Sequence, residues 1–286
     1  MEINVRTDLA SEAHRLWRGS AERRSALRGV IAREESLCGF PVASVQILDE
    51  EGARALGKPP GQYYTLSFER FFPRGEAGFS SSVSALAELL RRCLAGHTDG
   101  TVLIAALGNP DITPDALGSL CAEGLLVTRH LKEARHPLFE PFASVALCRT
   151  GVLGTSGMES ALQIRALCAS LRPSCVIAVD ALAGAEPEGL CRCVQVSSGG
   201  IAPGSGVGND RERLDNETLG VPVVAVGIPT VIDAARFSDE AALRGLFVTP
   251  RDIDTLVRRG ARLIACALDL ALHEGLTLEE LDSLLE

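Results

Sequence analysis

Two aspartates follow runs of apolar residues at corresponding places in the chain. Val102-Leu103-Ile104-Ala105-Ala106-Leu107 leads through Gly108-Asn109-Pro110 to Asp115, and Cys175-Val176-Ile177-Ala178-Val179 leads directly to Asp180. Unbroken apolar runs of this length read as strands covered on both faces, as in a parallel sheet. Open α/β sheets bind ligands beyond the carboxyl ends of such strands. Two carboxylates delivered there can share a proton, activate a water or bind a metal. Hydrolysis is therefore the first chemistry to consider. Taken singly, each aspartate has a plainer role: Asp115 as a first-turn helix residue, Asp180 as a cap on the element after its strand. The pair at equivalent strand ends carries the functional reading.

The elements around them alternate. The spacing predicts a helix over 12–37, a strand over 42–48, a helix over 50–56, a strand over 63–68 and a helix over 82–94. Thr113 and Pro114 suit the cap and first turn of a helix running toward Leu125, which would set Asp115 at a helix N-terminus where the dipole favours its ionised form. A strand over 143–147, a glycine-rich loop over 151–157 and a helix over 158–171 come next. The strand over 175–179 is succeeded by a strand over 192–196, a loop over 197–210 and a strand over 221–226. Pro229 is expected to open a short helix, and helices over 250–274 and 277–285 close the chain. Alternation from residue 100 onward indicates α/β layering about a largely parallel, mixed sheet. No linker divides the chain, so one domain is expected.

The balance of residues narrows the function. Hydrophobic residues make up 46% and charged residues 23%, which suits a globular core and excludes a disordered chain. A net charge of -9 argues against non-specific nucleic-acid binding. Nine cysteines occur without any paired zinc-type spacing, several of them in apolar runs, and read as reduced, buried residues of a cytoplasmic protein. No apolar run approaches the roughly 20 residues of a membrane helix.

Other residues merit weighing. Gly204-Ser205-Gly206-Val207-Gly208 has the spacing of a phosphate loop but lacks the tight strand-to-helix junction, and reads better as a rigid loop lining a cleft. His130 could ligate a metal or orient a carboxylate, although a lone histidine is more often structural. Glu159 could add a carboxylate at a helix start, where a cap-region charge is the plainer reading. No serine or cysteine nucleophile stands out.

Several blocks, in order and nearly from end to end, resemble the germination protease (spore protease) family. They are 5–10 (Val-Arg-Thr-Asp-Leu-Ala), 107–118 around Asn109 and Asp115, and 126–131 (Leu-Val-Thr-Arg-His-Leu). Further on come 176–183 around Asp180, 200–209 (Gly-Ile-Ala-Pro-Gly-Ser-Gly-Val-Gly-Asn), 220–234, and the Val248-Thr249-Pro250 helix start with 270–273. The resemblance implies an endopeptidase that starts the degradation of small acid-soluble spore proteins at germination, acting in the spore core. It implies a three-layer α/β/α sandwich similar to the hydrogenase maturation proteases, a homotetramer, and a catalytic aspartate pair that falls by motif on Asp115 and Asp180. It also implies a zymogen that trims its own N-terminus. Thr7-Asp8-Leu9-Ala10-Ser11-Glu12 has the character of the substrate motif Thr-Glu-Phe-Ala-Ser-Glu at every position, so self-cleavage is expected between Asp8 and Leu9. Residues 1–8 would then be the propeptide and 9–286 the peptidase domain. The chain departs from the family pattern in its short propeptide, its short 236–247 segment, Cys191-Arg192-Cys193 and Ser197-Ser198-Gly199.

The expected mechanism is water attack with one aspartate as base and the other as acid. Backbone N–H groups of the loop at Gly204, Ser205 and Gly206 would face the oxyanion, and Arg129 would read the acidic residue before the cut. No cofactor is required. The alternatives are a metallopeptidase with a divalent ion on Asp115, Asp180 and His130, and a non-catalytic protein that binds spore proteins.

Overall fold

The computed structural model describes residues 7–19, 27–208, 211–237, 241–243 and 245–285. Residues 1–6 of the expected propeptide, residues 20–26 of the first expected helix and Asn209 of the glycine-rich loop lie outside these.

The first third contains α1 (Ala10–Gly19), β1 (Val30–Leu37), β2 (Phe40–Ile47), α2 (Glu50–Leu56), β3 (Gly61–Ser67) and α3 (Ala77–Leu94). The middle contains β4 (Thr101–Leu107), α4 (Leu117–Ala122), α5 (Arg129–Glu133), β5 (Ser144–Gly151), the single turn α6 (Leu153–Ser156), α7 (Ser160–Leu171) and β6 (Cys175–Gly184). The last third contains β7 (Cys193–Ser197), the turn α8 (Asn216–Leu219), β8 (Val223–Asp233), β9 (Phe247–Val248), α9 (Ile253–Leu272) and α10 (Leu278–Leu285).

Among the described residues, one sheet holds all nine strands in the order β1-β2-β3-β7-β8-β6-β4-β5, with β9 on β8. Strands β8, β6, β4 and β5 run parallel, and β1, β2, β3 and β7 extend the sheet antiparallel. Side chains alternate between two cores, as the period of a strand requires. Val102, Ile104, Ile177 and Val179 meet Leu86, Leu263 and Leu268 on one face. Leu103, Ala105, Val176 and Ala178 meet Ala161 and Ile164 of α7 on the other. On that second face α1 covers the antiparallel half, with Trp17 packed among Val45, Ile47, Leu56 and Tyr63. The result is the expected three-layer sandwich with a central mixed sheet.

Three expectations are corrected. Residues 30–37 form an edge strand, not the end of a helix. The helical spacing of Ile31 and Leu37 among charged residues misled, whereas Cys38 (φ 50°) and Gly39 (φ 86°) make a two-residue hairpin turn that pins β1 to β2. Its charged residues suit an exposed sheet edge. Pro229 lies within β8, not at a helix start; the register slips there, with Leu182 opposite Pro229 and Ala183 opposite Val231, and such a bulge admits proline. Finally, β6 does not stop at Val179. Its pairing with β4 stops there, and Asp180 is the first residue past that edge, on a strand that continues along β8.

Candidate active site

Asp115 reaches the edge of the sheet through a backbone reversal after β4. Gly108 has φ +92°, and a Cβ there would lie 2.0 Å from the carbonyl oxygen of Asp115, so the reversal requires glycine. Asp115 closes a 3-10 turn, Thr113–Asp115, in which Thr113 makes no capping bond, and α4 begins only at Leu117. The expected helix N-terminus is therefore absent at Asp115. Its carboxylate is held instead by the backbone N–H of Asn109 at 2.8 Å. Burial raises its pKa, and the Asn109 N–H and the Arg211 guanidinium oppose that rise without cancelling it.

Asp180 is 4% exposed. Its Oδ1 accepts the N–H of Ala181 at 3.0 Å. Burial pushes its pKa well above the usual carboxylate range, reinforced by the charges of Asp115 and Asp8 and opposed by the Ala181 N–H and Arg211. Asp115, Asp180, Asp8 and Arg211 line one cleft of about 380 Å³, together with Gly108, Ser160, Gly204 and Thr230. Coupled carboxylates in such a cleft share a proton more readily than isolated ones, and burial favours Asp180 as its holder.

The third carboxylate is that of the expected cleavage position. Asp8 donates its N–H to the carbonyl of Ala183 at 2.8 Å, and its Oδ2 accepts the Ala183 N–H at 2.8 Å. Ser205 Oγ donates to Asp8 Oδ1 at 2.9 Å. A Cβ at Gly206 would lie 2.3 Å from Asp8 Oδ2, so this glycine opens the space that the carboxylate fills. Leu9 is 1% exposed, against Leu182, Cys193 and Ile201. Lys58 Nζ donates to the carbonyl of Thr7 at 3.0 Å. Glu12, fully buried, accepts from Thr7 Oγ1 and from the N–H groups of Ala185 and Glu186. The hexapeptide 7–12 thus lies against the sheet with each of its acidic side chains received by donors.

The structure brings Asp115, Asp180, Asn109, Gly204, Ser205, Gly206, Asp8 and Leu9 to this region. It does not bring Arg129, His130 or Glu159 to the cleft lining. Arg129 pairs with Glu133 one turn along α5, at 2.6 Å. His130 is exposed on the same helix. Glu159 precedes α7 without a capping bond. Asp115, Asp180 and His130 therefore do not assemble, and no group of three acidic, histidine or cysteine residues suited to a metal ion occurs among the described residues. Arg211 stands near the aspartate pair, and Lys58, with Arg213 close by, stands near Asp8. Sequence reasoning missed Arg211, Lys58 and Gln195. Gln195 carried a signal: it is an amide between two valines in a short, fully buried strand.

Comparison with known proteins identifies the family. The family model described as germination protease matches residues 7–243. A germination protease of Caldanaerobacter subterraneus subsp. tengcongensis is 35% identical, covering 99% of this chain and 98% of the relative. One from Clostridium perfringens is 32% identical, covering 99% of each. One from Bacillus cereus is 39% identical over 84% of this chain and 66% of its own length. Matched across nearly its whole length, the chain belongs to the germination protease family.

Proposed function

We infer that the chain is an endopeptidase for small acid-soluble spore proteins, made as a zymogen that cuts its own Asp8–Leu9 bond with Asp115 and Asp180. One observation carries the reading: Asp8, the acidic residue before the expected cut, lines the same cleft as the two aspartates. In this mechanism Asp115 takes a proton from water as the oxygen attacks the Asp8 carbonyl carbon. Asp180 supplies its proton toward the departing nitrogen of Leu9, the C–N bond breaks, and a new carboxyl and amine result. Asp115 fits the base because it is half-buried and held by a backbone donor, whereas Asp180 is enclosed and faces two other carboxylates.

The 7–12 segment also suggests how a protein substrate is read. The acidic residue before the cut is held by Ser205, the Ala183 N–H and the space at Gly206, in place of the expected Arg129. The large apolar residue after it enters the site formed by Leu182, Cys193 and Ile201. The acidic residue four places after the cut meets the N–H groups of Ala185 and Glu186. A homotetramer and action in the spore core belong to the same proposal, on the family resemblance alone. The test is incubation with a peptide containing Thr-Glu-Phe-Ala-Ser-Glu, read by mass spectrometry. Cleavage after the first glutamate supports the reading, and an intact peptide beside N-terminally processed protein contradicts it.

A further inference from the structure

Gln195 is 7% exposed, in the middle of a sheet, where an amide without partners is costly. Its two side-chain hydrogen bonds straddle the bond that the proposed function assigns for cutting. Its Nε2 donates to the carbonyl oxygen of Asp8 at 2.8 Å, and its Oε1 accepts the N–H of Ala10 at 2.7 Å. The orientation of the amide is fixed by this pairing. A backbone N–H needs an acceptor, so the oxygen must face Ala10 and the nitrogen must face the Asp8 carbonyl.

The sheet register explains why this side chain can reach the bond. Asp180 lies opposite Gly227, Gly227 opposite Gln195, and Gln195 opposite Thr65. Residues directly opposite one another project to the same face, so Asp180, Gln195 and Thr65 form one polar row across four strands. Gly227 adds no side chain to that row. The 7–12 segment tracks along it: Asp8 sits near Asp180, Ala10 on Gln195, and Ser11 Oγ accepts from Thr65 Oγ1 at 3.0 Å. Neighbouring strands lie about 4.8 Å apart, which matches the reach of a peptide crossing them.

We propose that Gln195 is a catalytic residue of the peptidase reaction, the side-chain donor that receives the developing oxyanion at the scissile carbonyl while its oxygen holds the chain in register through the second residue after the cut. This rests on the cleavage reading above. As water adds to the Asp8 carbonyl, negative charge collects on the oxygen that Nε2–H already contacts, and the bond strengthens as the barrier is climbed.

The test uses the full-length chain, with self-processing at Asp8–Leu9 timed by mass spectrometry in wild type, Gln195→Glu, Gln195→Ala and Asp180→Asn. Gln195→Glu keeps an acceptor for Ala10 N–H and removes the donor; the expected processing rate falls about 10²- to 10³-fold. Hydrogen exchange at Ala10 and thermal unfolding are measured on the same variants. Slow processing in Gln195→Glu with Ala10 still protected supports the proposal. Wild-type rates in both Gln195 variants, with Asp180→Asn inert, overturn it and leave the cleavage reading standing. Loss of Ala10 protection in step with rate in both variants also overturns it, because Gln195 is then only an anchor. Normal processing in Asp180→Asn defeats the cleavage reading itself.

Discussion

Asp8→Asn isolates the charge that the cleft is built to receive. The asparagine oxygen can still accept the Ala183 N–H, and its amide can donate to Ser205 Oγ, so both contacts at 2.8 and 2.9 Å have a neutral counterpart. Charge-assisted hydrogen bonds are about twice as strong as neutral ones, and each contributes about 1.5–3 kcal/mol. Two halved bonds cost about 1.5–3 kcal/mol, and because Asp8 is half-exposed the lower part of that range applies. The loss falls on the seating of the 7–12 segment before the cut, so self-processing should slow by at most about 10- to 30-fold. Asp8→Ala loses both acceptors and should slow further, whereas Asp8→Glu retains the carboxylate and should process near the wild-type rate. A second signature accompanies the first. The Asp8 charge helps to raise the Asp180 pKa, so removing it lowers that pKa and moves the alkaline loss of activity to lower pH. The assay is N-terminal mass analysis of purified chain over time at several pH values. Asp8→Asn processing at the wild-type rate, with an unshifted alkaline limb, would show that the cleft does not recognise this charge.

The same geometry has other consequences. Gly206→Ala would place a Cβ 2.3 Å from Asp8 Oδ2 and 2.5 Å from the Cβ of Ala183, so processing should fall by at least the Asp8→Asn factor and the melting temperature should drop modestly, while the far-ultraviolet spectrum stays close to wild type. Asp269, fully buried on α9 and accepting the Leu126 N–H, has its pKa pushed up to about 8 by burial. The folded chain then binds more protons than the unfolded chain between the ordinary aspartate range and pH 8, so stability falls as pH rises through that window, at a limiting slope of about 1.4 kcal/mol per pH unit. Asp269→Asn keeps an acceptor for Leu126 and should flatten the dependence of denaturant midpoint on pH; an unchanged slope would contradict this.

The sequence carried the parallel half of the fold plainly, because β4 and β6 are buried on both faces and hold no polar residue between Val102 and Leu107 or between Cys175 and Val179. The same logic pointed to Asp115 and Asp180. The antiparallel half was harder. The exposed strand β1 has no apolar face to show its period, and only the turn at Cys38-Gly39 betrays it. Asp115 was placed at the right edge for an incorrect local reason: Thr113-Pro114 looks like a helix start, but the chain makes a 3-10 turn and the carboxylate is fixed by a neighbouring N–H. Arg129 and His130 come just after apolar Leu126 and Val127 and look well placed in one dimension, yet α5 carries them away from the cleft. Lys58 stands in Lys58-Pro59-Pro60-Gly61, whose residue types mark only a turn, and Gln195 reaches Asp8 only because the sheet order sets β7 beside β8. Such long-range adjacency is not written in local spacing.

The most direct measurement is self-processing and peptide cleavage by Asp115→Asn and Asp180→Asn, each checked for an intact fold by thermal unfolding. If the aspartate pair does the chemistry, both variants fold, keep their full N-terminus and leave the peptide whole. Release of residues 1–8 at a normal rate by either variant would contradict it.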